Sequence, residues 1–205
     1  MPETQNNTLN DTLKASALDQ LFREARTFNT FLPREVSDEQ IHAIWDLLKM
    51  GPTSANQLPL RIEWCKSAAA KDRLARHCSE GNQAKVRAAP VVAILAMDLD
   101  FHEQLPWLFP HTDARSWFAG EADKRRESAF RNSSLQGGYF IMAARALGLD
   151  CGPMSGFDNA AVDADFFADQ PQWKSNFICS VGYGDRDSLF PRSPRPDFAT
   201  FNRLA

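Results

Sequence analysis

The amino-acid sequence predicts an α+β fold. Apolar runs of strand length, such as residues 91–97 and 176–183, alternate with stretches of helical pattern, but few of them form a clean β-α-β unit. Parallel sheets are built from such units, so their scarcity favours α+β over a doubly wound sheet. No internal repeat or linker divides the 205 residues. Residues 17–205 are therefore predicted to be one domain, after a flexible polar tail at residues 1–16.

Two helices are predicted in the first fifty residues. Ser16 is the expected N-cap of the first, an amphipathic helix that ends near Arg26. Ser37 and Gln40 form a capping box at the start of the second helix, which Gly51-Pro52 ends. The apolar spacing in the second helix predicts a buried stripe made of Ile41, Ile44, Trp45 and Leu48.

The segment after the second helix, residues 53–57, has the small polar residues of a loop. A half-buried strand is predicted at residues 61–66, and a weak helix interrupted at Gly81 is predicted at residues 68–85. Residues 91–97 are predicted to form a fully buried strand. A short helix is the alternative there, because an apolar run of this length does not distinguish the two.

Residues 98–120 are rich in aromatic side chains and contain two prolines, which predicts irregular chain. One interpretation is a satellite hydrophobic cluster beneath a loop. The other is a lid over a pocket, since loops often carry such functions. The sequence supports the two interpretations equally.

A central helix is predicted around residues 136–148, where Arg145 is the one charged residue. Apolar residues surround this helix, so it is expected to be buried in the core or against another subunit. Gly137 and Gly138 each cost about 1 kcal/mol relative to alanine in a helix interior, which predicts close packing against the backbone. Gly148 is the expected C′ residue.

Residues 152–156 (GPMSG) are too rich in glycine and proline for a helix and predict a strand end and turn with exposed backbone N–H groups. This turn is not a nucleophile elbow, because two residues separate Gly152 from Ser155. Asp158 is expected to cap a short helix that ends at Phe166, and a buried strand follows at residues 176–183.

Composition excludes several classes of function. The net charge is −3 and no long Lys/Arg cluster is present, so no nucleic-acid partner is predicted. The longest apolar run is too short to span a bilayer, and the N-terminus lacks the features of a signal peptide. The four cysteines are widely spaced and the histidines show no ligand spacing, so no metal is predicted. These features predict a cytoplasmic protein without a membrane partner.

No nucleophilic constellation, metal cluster or Gly-rich phosphate loop is found in the sequence. What remains is a set of small polar loops and arginines. That pattern suits a bound organic cofactor that carries the chemistry itself.

Four segments resemble, in the same order, motifs of the FMN-dependent nitroreductase superfamily. They are residues 26–31 (RTFNTF), 52–59 (PTSANQLP), 82–85 (NQAK) and 152–158 (GPMSGFD). The final turn, with residues 110–118 and 130–134, further resembles the malonic semialdehyde reductases of uracil degradation, which reduce 3-oxopropanoate to 3-hydroxypropanoate. The resemblance implies a nitroreductase-like fold, with a mostly antiparallel central sheet flanked by helices, in a homodimer with a buried central helix.

The same resemblance implies a set of FMN contacts. Arg26 and Thr27 would hold the phosphate, and Arg192 and Arg195 would complete that site. The other implied contacts, along the ribityl chain and the flavin ring, are Asn29, Pro52, Thr53, Ser54, Asn56, Asn82, Lys85, Pro153, Met154, Ser155 and Gly156.

NADPH or NADH is the implied hydride donor, a small-molecule aldehyde is the implied substrate, and flavin N5 would carry the hydride. No protein proton donor is predicted. Arg115 is a candidate for binding the substrate carboxylate, and a surface ion pair is the alternative role for it.

Three other functions remain open at this stage. The first is a broad nitro or quinone reductase on the same scaffold. The second is a flavin-binding protein without turnover. The third is a helical dimer that binds no flavin and whose loops are structural.

Overall fold

The computed structural model describes residues 11–205, so residues 1–10 of the predicted flexible tail lie outside it. Its centre is a four-stranded sheet of order β1-β2-β4-β3, in which every neighbouring pair is antiparallel. The strands are β1 (Leu60–Cys65), β2 (Val91–Asp98), β3 (Asp150–Met154) and β4 (Trp173–Gly182). The α+β prediction with an antiparallel sheet is confirmed.

Helices flank this sheet on both faces. The helices are α1 (Ala15–Leu18), α2 (Asp38–Leu48), α3 (Ala68–Ala75), α4 (Glu80–Ala88), α5 (Leu105–Leu108), α6 (Ala122–Ala146), α7 (Asn159–Phe166) and α8 (Phe198–Phe201). One hydrophobic cluster lies between the sheet and helices α2 and α6, and a second lies between the sheet and helices α3, α4 and α7. None of the helices in residues 11–205 combines the length and apolar character needed to cross a membrane.

The strands agree with the sequence prediction. All eight residues of β2 are buried, as expected for the central apolar run at residues 91–97. Strand β1 begins one residue before the predicted range, and β4 begins at Trp173, three residues before its predicted start. Because side chains alternate between faces, the wholly buried β2 requires helices on both sides of the sheet.

Helix α2 begins as predicted. The hydroxyl of Ser37 accepts from the N–H of Gln40, and the Gln40 side chain accepts from the N–H of Ser37. The buried stripe is narrower than predicted. Ile44 and Leu48 are fully buried, whereas Trp45 is 40% exposed because it lies at the edge of the stripe, on the wall of an open groove.

Two predicted helix boundaries are wrong. Ser16 lies inside α1, which begins at Ala15 without a side-chain cap, and the chain continues as a π-helical turn over Asp19–Arg23. Gly81 does not interrupt a helix, because the break between α3 and α4 comes earlier and Gly81 lies within α4. The N–H of Ser79 donates to the distant Gly156 carbonyl at 3.0 Å, so a tertiary contact sets this break.

Helix α6 is longer and less buried than predicted. It has 25 residues, and Gly148 follows it with φ of +75°, the conformation expected of a C′ glycine. A Cβ on Gly137 would lie 2.6 Å from the Phe177 ring, which confirms close packing there, whereas Gly138 has no such neighbour. The face that carries Leu135 and Tyr139 is exposed, so this chain alone does not bury the helix on all sides.

The aromatic segment at residues 98–120 forms short helical turns over a small core. Phe101, Leu105 and Phe118 are buried in this satellite cluster, and the rings of Phe101 and Phe118 pack edge to face at 5.0 Å. Trp107 is 68% exposed. The cluster interpretation therefore describes the segment, while a lid function stays a prediction.

Ser37→Ala is expected to lower the free energy of unfolding by about 1 kcal/mol, because it removes the oxygen that caps α2. Urea unfolding measures this difference. Ser16→Ala is the matched control, since Ser16 is exposed and caps no helix, and its effect should stay below about 0.5 kcal/mol. Equal losses for the two variants would contradict the capping assignment.

Candidate cofactor site

The segment at residues 26–29 lies along the outer edge of β3. The N–H of Phe28 donates to the carbonyl oxygen of Cys151 at 3.0 Å, and Thr27 pairs with Cys151 in parallel. A Cβ on Gly152 would lie only 2.2 Å from the Phe28 carbonyl oxygen, so only glycine permits this approach. Phe28 points into the protein and is buried, which leaves Thr27 and Asn29 facing outward.

The C-terminal segment pairs with the same stretch of chain. The N–H of Asp185 donates to the Thr30 carbonyl at 3.0 Å, and the N–H of Leu32 donates to the Tyr183 carbonyl at 2.8 Å. These bonds fix the start of the segment that continues through residues 186–195. Residues far apart in sequence therefore meet on one side of β3.

A cavity of about 370 Å³ lies between these two segments. Its lining includes the four predicted phosphate-site residues (Arg26, Thr27, Arg192 and Arg195), the predicted flavin contact Asn29, and one more arginine, Arg145. We refer to it as the arginine cavity. The structure thus brings together the two sequence-distant groups, residues 26–29 and 192–195, that were predicted to share a site.

The arginine cavity keeps an uncompensated positive charge. Arg26 and Arg192 donate to main-chain carbonyl oxygens at 2.5 to 2.9 Å, and Arg195 donates to carbonyls of its own turn. Within residues 11–205 none of these arginines forms an ion pair with a carboxylate. Guanidinium groups bind phosphate oxygens through paired N–H donors, so the cavity is suited to a phosphate group.

The turn after β3 forms a second group of predicted residues. The carbonyl oxygen of Gly156 accepts from the Ser79 hydroxyl at 2.9 Å and from the Asn82 amide at 3.1 Å. Lys85 donates to Asn82 Oδ1 at 3.4 Å. A Cβ on Gly156 would lie 2.7 Å from Ser79 Oγ and Asn82 Nδ2, so a side chain there would displace these two groups. Asn82, Lys85 and Gly156 are therefore together, at the end of the strand that carries the arginine cavity.

The remaining residues of this turn differ in exposure. Pro153 pairs with Cys179 in the sheet, and the Met154 side chain packs against the core. Ser155 is exposed. Within residues 11–205 the N–H groups of Ser155 and Gly156 have no hydrogen-bond acceptor, so both can donate to a ligand.

The loop that contains Pro52, Thr53, Ser54 and Asn56 does not line the arginine cavity of the same chain. The N–H of Ser54 donates to Asn132 Oδ1 on α6 at 2.9 Å, and the Asn56 amide donates to the Leu108 carbonyl at 2.8 Å. Asn56 has a φ of +50°. The structure therefore separates this part of the predicted FMN site from the two groups on β3.

Arg115 is held by a carboxylate. Its guanidinium forms two hydrogen bonds of 2.7 Å with Glu103, and both side chains are about half exposed. This contact lowers the pKa of the Glu103 carboxyl. The geometry is that of the surface ion pair kept as the alternative, and the role of Arg115 in binding substrate stays a prediction.

The structure adds one charged residue to the predicted site. Arg145, in the last turn of α6, lines the arginine cavity. In the sequence Arg145 stands out as the one charged residue in an apolar helix. The residue spacing, however, gives no sign that it lies near Arg26.

The four cysteines are buried and free, and burial raises the pKa of Cys78 to about 11 and that of Cys65 to about 12, so these two remain protonated thiols.

The comparisons with known proteins agree on the family. The Nitroreductase family profile matches residues 22–183. A Ralstonia nicotianae protein provisionally named NADH dehydrogenase/NAD(P)H nitroreductase is 58% identical over 187 residues, 91% of this chain and 95% of that protein. Two provisionally named structures share the fold. They are an Exiguobacterium sibiricum nitroreductase in complex with FMN (TM-score 0.81, 19% identity, 95% and 99% of the chains) and a Staphylococcus epidermidis NAD(P)H:FMN oxidoreductase (TM-score 0.82, 15% identity, 95% and 98%).

The chain belongs to the Nitroreductase family. This confirms the family resemblance drawn from the four motifs, and the solved structures confirm the nitroreductase-like fold. The narrower resemblance to malonic semialdehyde reductases is not tested by these relatives and stays a prediction.

Replacing Gly152 with alanine is expected to lower the free energy of unfolding by about 1 to 3 kcal/mol, because the new methyl group collides with backbone. The same change should weaken the stabilisation that inorganic phosphate gives to the protein, since residues 26–29 would be pushed away from β3. Urea unfolding and thermal shift measure the two effects. Gly81→Ala, where a Cβ meets no atom within 4 Å, is the control and should lose neither property.

Proposed function

We propose that this protein is an FMN-dependent oxidoreductase that takes hydride from NADPH or NADH. The observation that carries the proposal is the arginine cavity on β3, a few residues before a turn with two free N–H groups. A single domain at residues 17–205 and a cytoplasmic location are parts of the same proposal.

The chemistry of the donors fits FMN. Its phosphate is a dianion that requires guanidinium and hydroxyl donors, which Arg26, Thr27 and Arg192 can supply. Its ring system needs donors at the reactive edge, and the free N–H groups of Ser155 and Gly156 can supply these. The names of the relatives support the same assignment, because they include NAD(P)H nitroreductase and a complex with FMN.

When bound, FMN supplies the hydride relay between the nicotinamide donor and the acceptor. The chain itself binds and orients the cofactor. Lys85, which donates to Asn82, provides a cation close to the turn, and the N–H of Gly156 would donate to the flavin. Asn29, which also lines the cavity, would contact the flavin beside the phosphate.

We propose that a second copy of the chain completes the site. The loop with Thr53, Ser54 and Asn56 does not line the arginine cavity of its own chain, so it would contact FMN across a homodimer interface. The exposed apolar side chains of α6, which include the i, i+4 neighbours Leu135 and Tyr139, support such an interface, because large apolar patches on a single chain commonly mark contact surfaces.

The proposed substrate is malonic semialdehyde, reduced to 3-hydroxypropanoate in uracil degradation. The support for this substrate is the resemblance at residues 110–118, 130–134 and 152–158. A broad nitro or quinone reductase is the second candidate, and the nitroreductase names of the relatives favour it. A flavin-binding protein without turnover is the third.

The purified protein is expected to bind FMN and to oxidise NADPH or NADH faster when malonic semialdehyde is added. Absorbance in the flavin bands measures the first property, and loss of nicotinamide absorbance measures the second. A nitroaromatic and a quinone are the comparison substrates.

Each outcome of this assay separates the candidate functions. Acceleration by nitroaromatics or quinones alone would contradict malonic semialdehyde as the substrate and support the second candidate. Bound FMN with no acceptor-dependent turnover would support the third. A protein that takes up no FMN would overturn the proposal as a whole.

If Arg115 binds the substrate carboxylate, it must exchange Glu103 for the substrate. Arg115→Ala is therefore expected to raise KM for malonic semialdehyde about tenfold or more, the size of one lost charged hydrogen bond, and to leave KM for propanal unchanged. Glu103→Gln should lower KM for malonic semialdehyde, because it frees the guanidinium. Equal changes in KM for malonic semialdehyde and for propanal would contradict substrate binding by Arg115 and leave it as a member of a surface ion pair.

A further inference from the structure

We propose that Arg145 is an additional ligand of the cofactor phosphate and that it makes the site select FMN over riboflavin. This inference rests on the proposed function, because it assumes that the arginine cavity receives a flavin phosphate. Arg145 lies outside the motifs that carry the family resemblance.

Arg145 reaches the arginine cavity from the last turn of α6. Its Nη1 donates to the carbonyl oxygen of Leu21 at 3.0 Å. Its Nε is buried and has no acceptor within residues 11–205. It lines the arginine cavity on one side and a second cavity with Glu24 and Asp150 on another, and it forms no ion pair with a described carboxylate.

A buried donor without an acceptor and a charge without a partner are both unfavourable. The Leu21 carbonyl and the negative end of the α6 dipole offset only part of this cost. A phosphate dianion in the arginine cavity would supply the opposite charge and an acceptor for Nη2, which has none within residues 11–205. The unpaired charge and the free Nη2 therefore point to an anion at this place.

The origin of Arg145 distinguishes it from the other cavity arginines. Arg26 and the pair Arg192 and Arg195 come from irregular segments, and the C-terminal pair is exposed. Arg145 comes from a 25-residue helix, and the Gln20 side chain donates to its carbonyl oxygen at 2.6 Å. A charge held by a rigid element loses less conformational freedom on binding, so Arg145 should contribute strongly to the preference for FMN over riboflavin.

The competing role for Arg145 is structural. It would then only tie α6 to the Leu21 carbonyl and balance the helix dipole. A structural residue affects all flavins equally, because its loss disturbs the fold rather than one ligand atom. A phosphate ligand affects FMN and leaves riboflavin, which lacks the phosphate, unchanged.

The test titrates full-length protein stripped of flavin with FMN and with riboflavin, following flavin fluorescence. Arg145→Gln removes the charge and the donors to Leu21 and the cavity, and keeps a neutral polar side chain. It is expected to raise the Kd for FMN by about 10- to 100-fold, the range for a lost charged hydrogen bond, and to leave the Kd for riboflavin unchanged. Arg145→Lys should give an intermediate loss, because it keeps the charge without the planar fork.

Arg186→Gln is the control, because Arg186 is exposed and does not line the arginine cavity, and it should leave both affinities unchanged. If Arg145→Gln does not fold, Arg145→Lys decides the question by its ratio of FMN to riboflavin affinity. An unchanged ratio in the folded variants, or an equal loss in Arg186→Gln, would overturn the inference. Failure of the parent protein to bind either flavin would instead overturn the proposed function.

Discussion

The close approach of residues 27 and 28 to β3 is the contact on which the candidate site depends. Gly152 allows the Phe28 carbonyl to lie where any side chain would collide with it, and the hydrogen bond from Phe28 to Cys151 holds the segment there. Because alternate residues of an extended segment face opposite ways, burying Phe28 turns Thr27 and Asn29 outward. One backbone contact therefore sets the position of Phe28 in the core and also that of Thr27 and Asn29 in the wall of the arginine cavity.

The charge of the cavity follows from the same arrangement. The C-terminal segment pairs with Thr30 and Leu32, and Arg192 then reaches back to main-chain carbonyls near Arg26. These carbonyls orient the guanidinium groups without neutralising them. A site that keeps positive charge in this way is preorganised for an anion, and in the proposed function the backbone donors of the turn at Gly156 bind the flavin ring.

Local patterns predicted most of the local structure, and a tertiary contact accounts for the misplaced break between α3 and α4. The capping box of α2 and the buried strand β2 depend on neighbouring residues, and both were predicted correctly. The break before α4 depends on a hydrogen bond from Ser79 to the distant Gly156, which no local pattern contains. In the site, the family resemblance grouped residues 26–29 with 192–195. Arg145 could not be added to this group from the sequence, because only the fold shows that the end of α6 lies beside them.

The central claim is that the arginine cavity receives the phosphate of FMN. A crystal structure of the protein with bound FMN tests it most directly. The account predicts phosphate density within hydrogen-bond distance of Arg26, Arg192 and Arg145, and the flavin ring against the N–H groups of residues 155 and 156. Phosphate density elsewhere, with the arginine cavity holding only water, would contradict it.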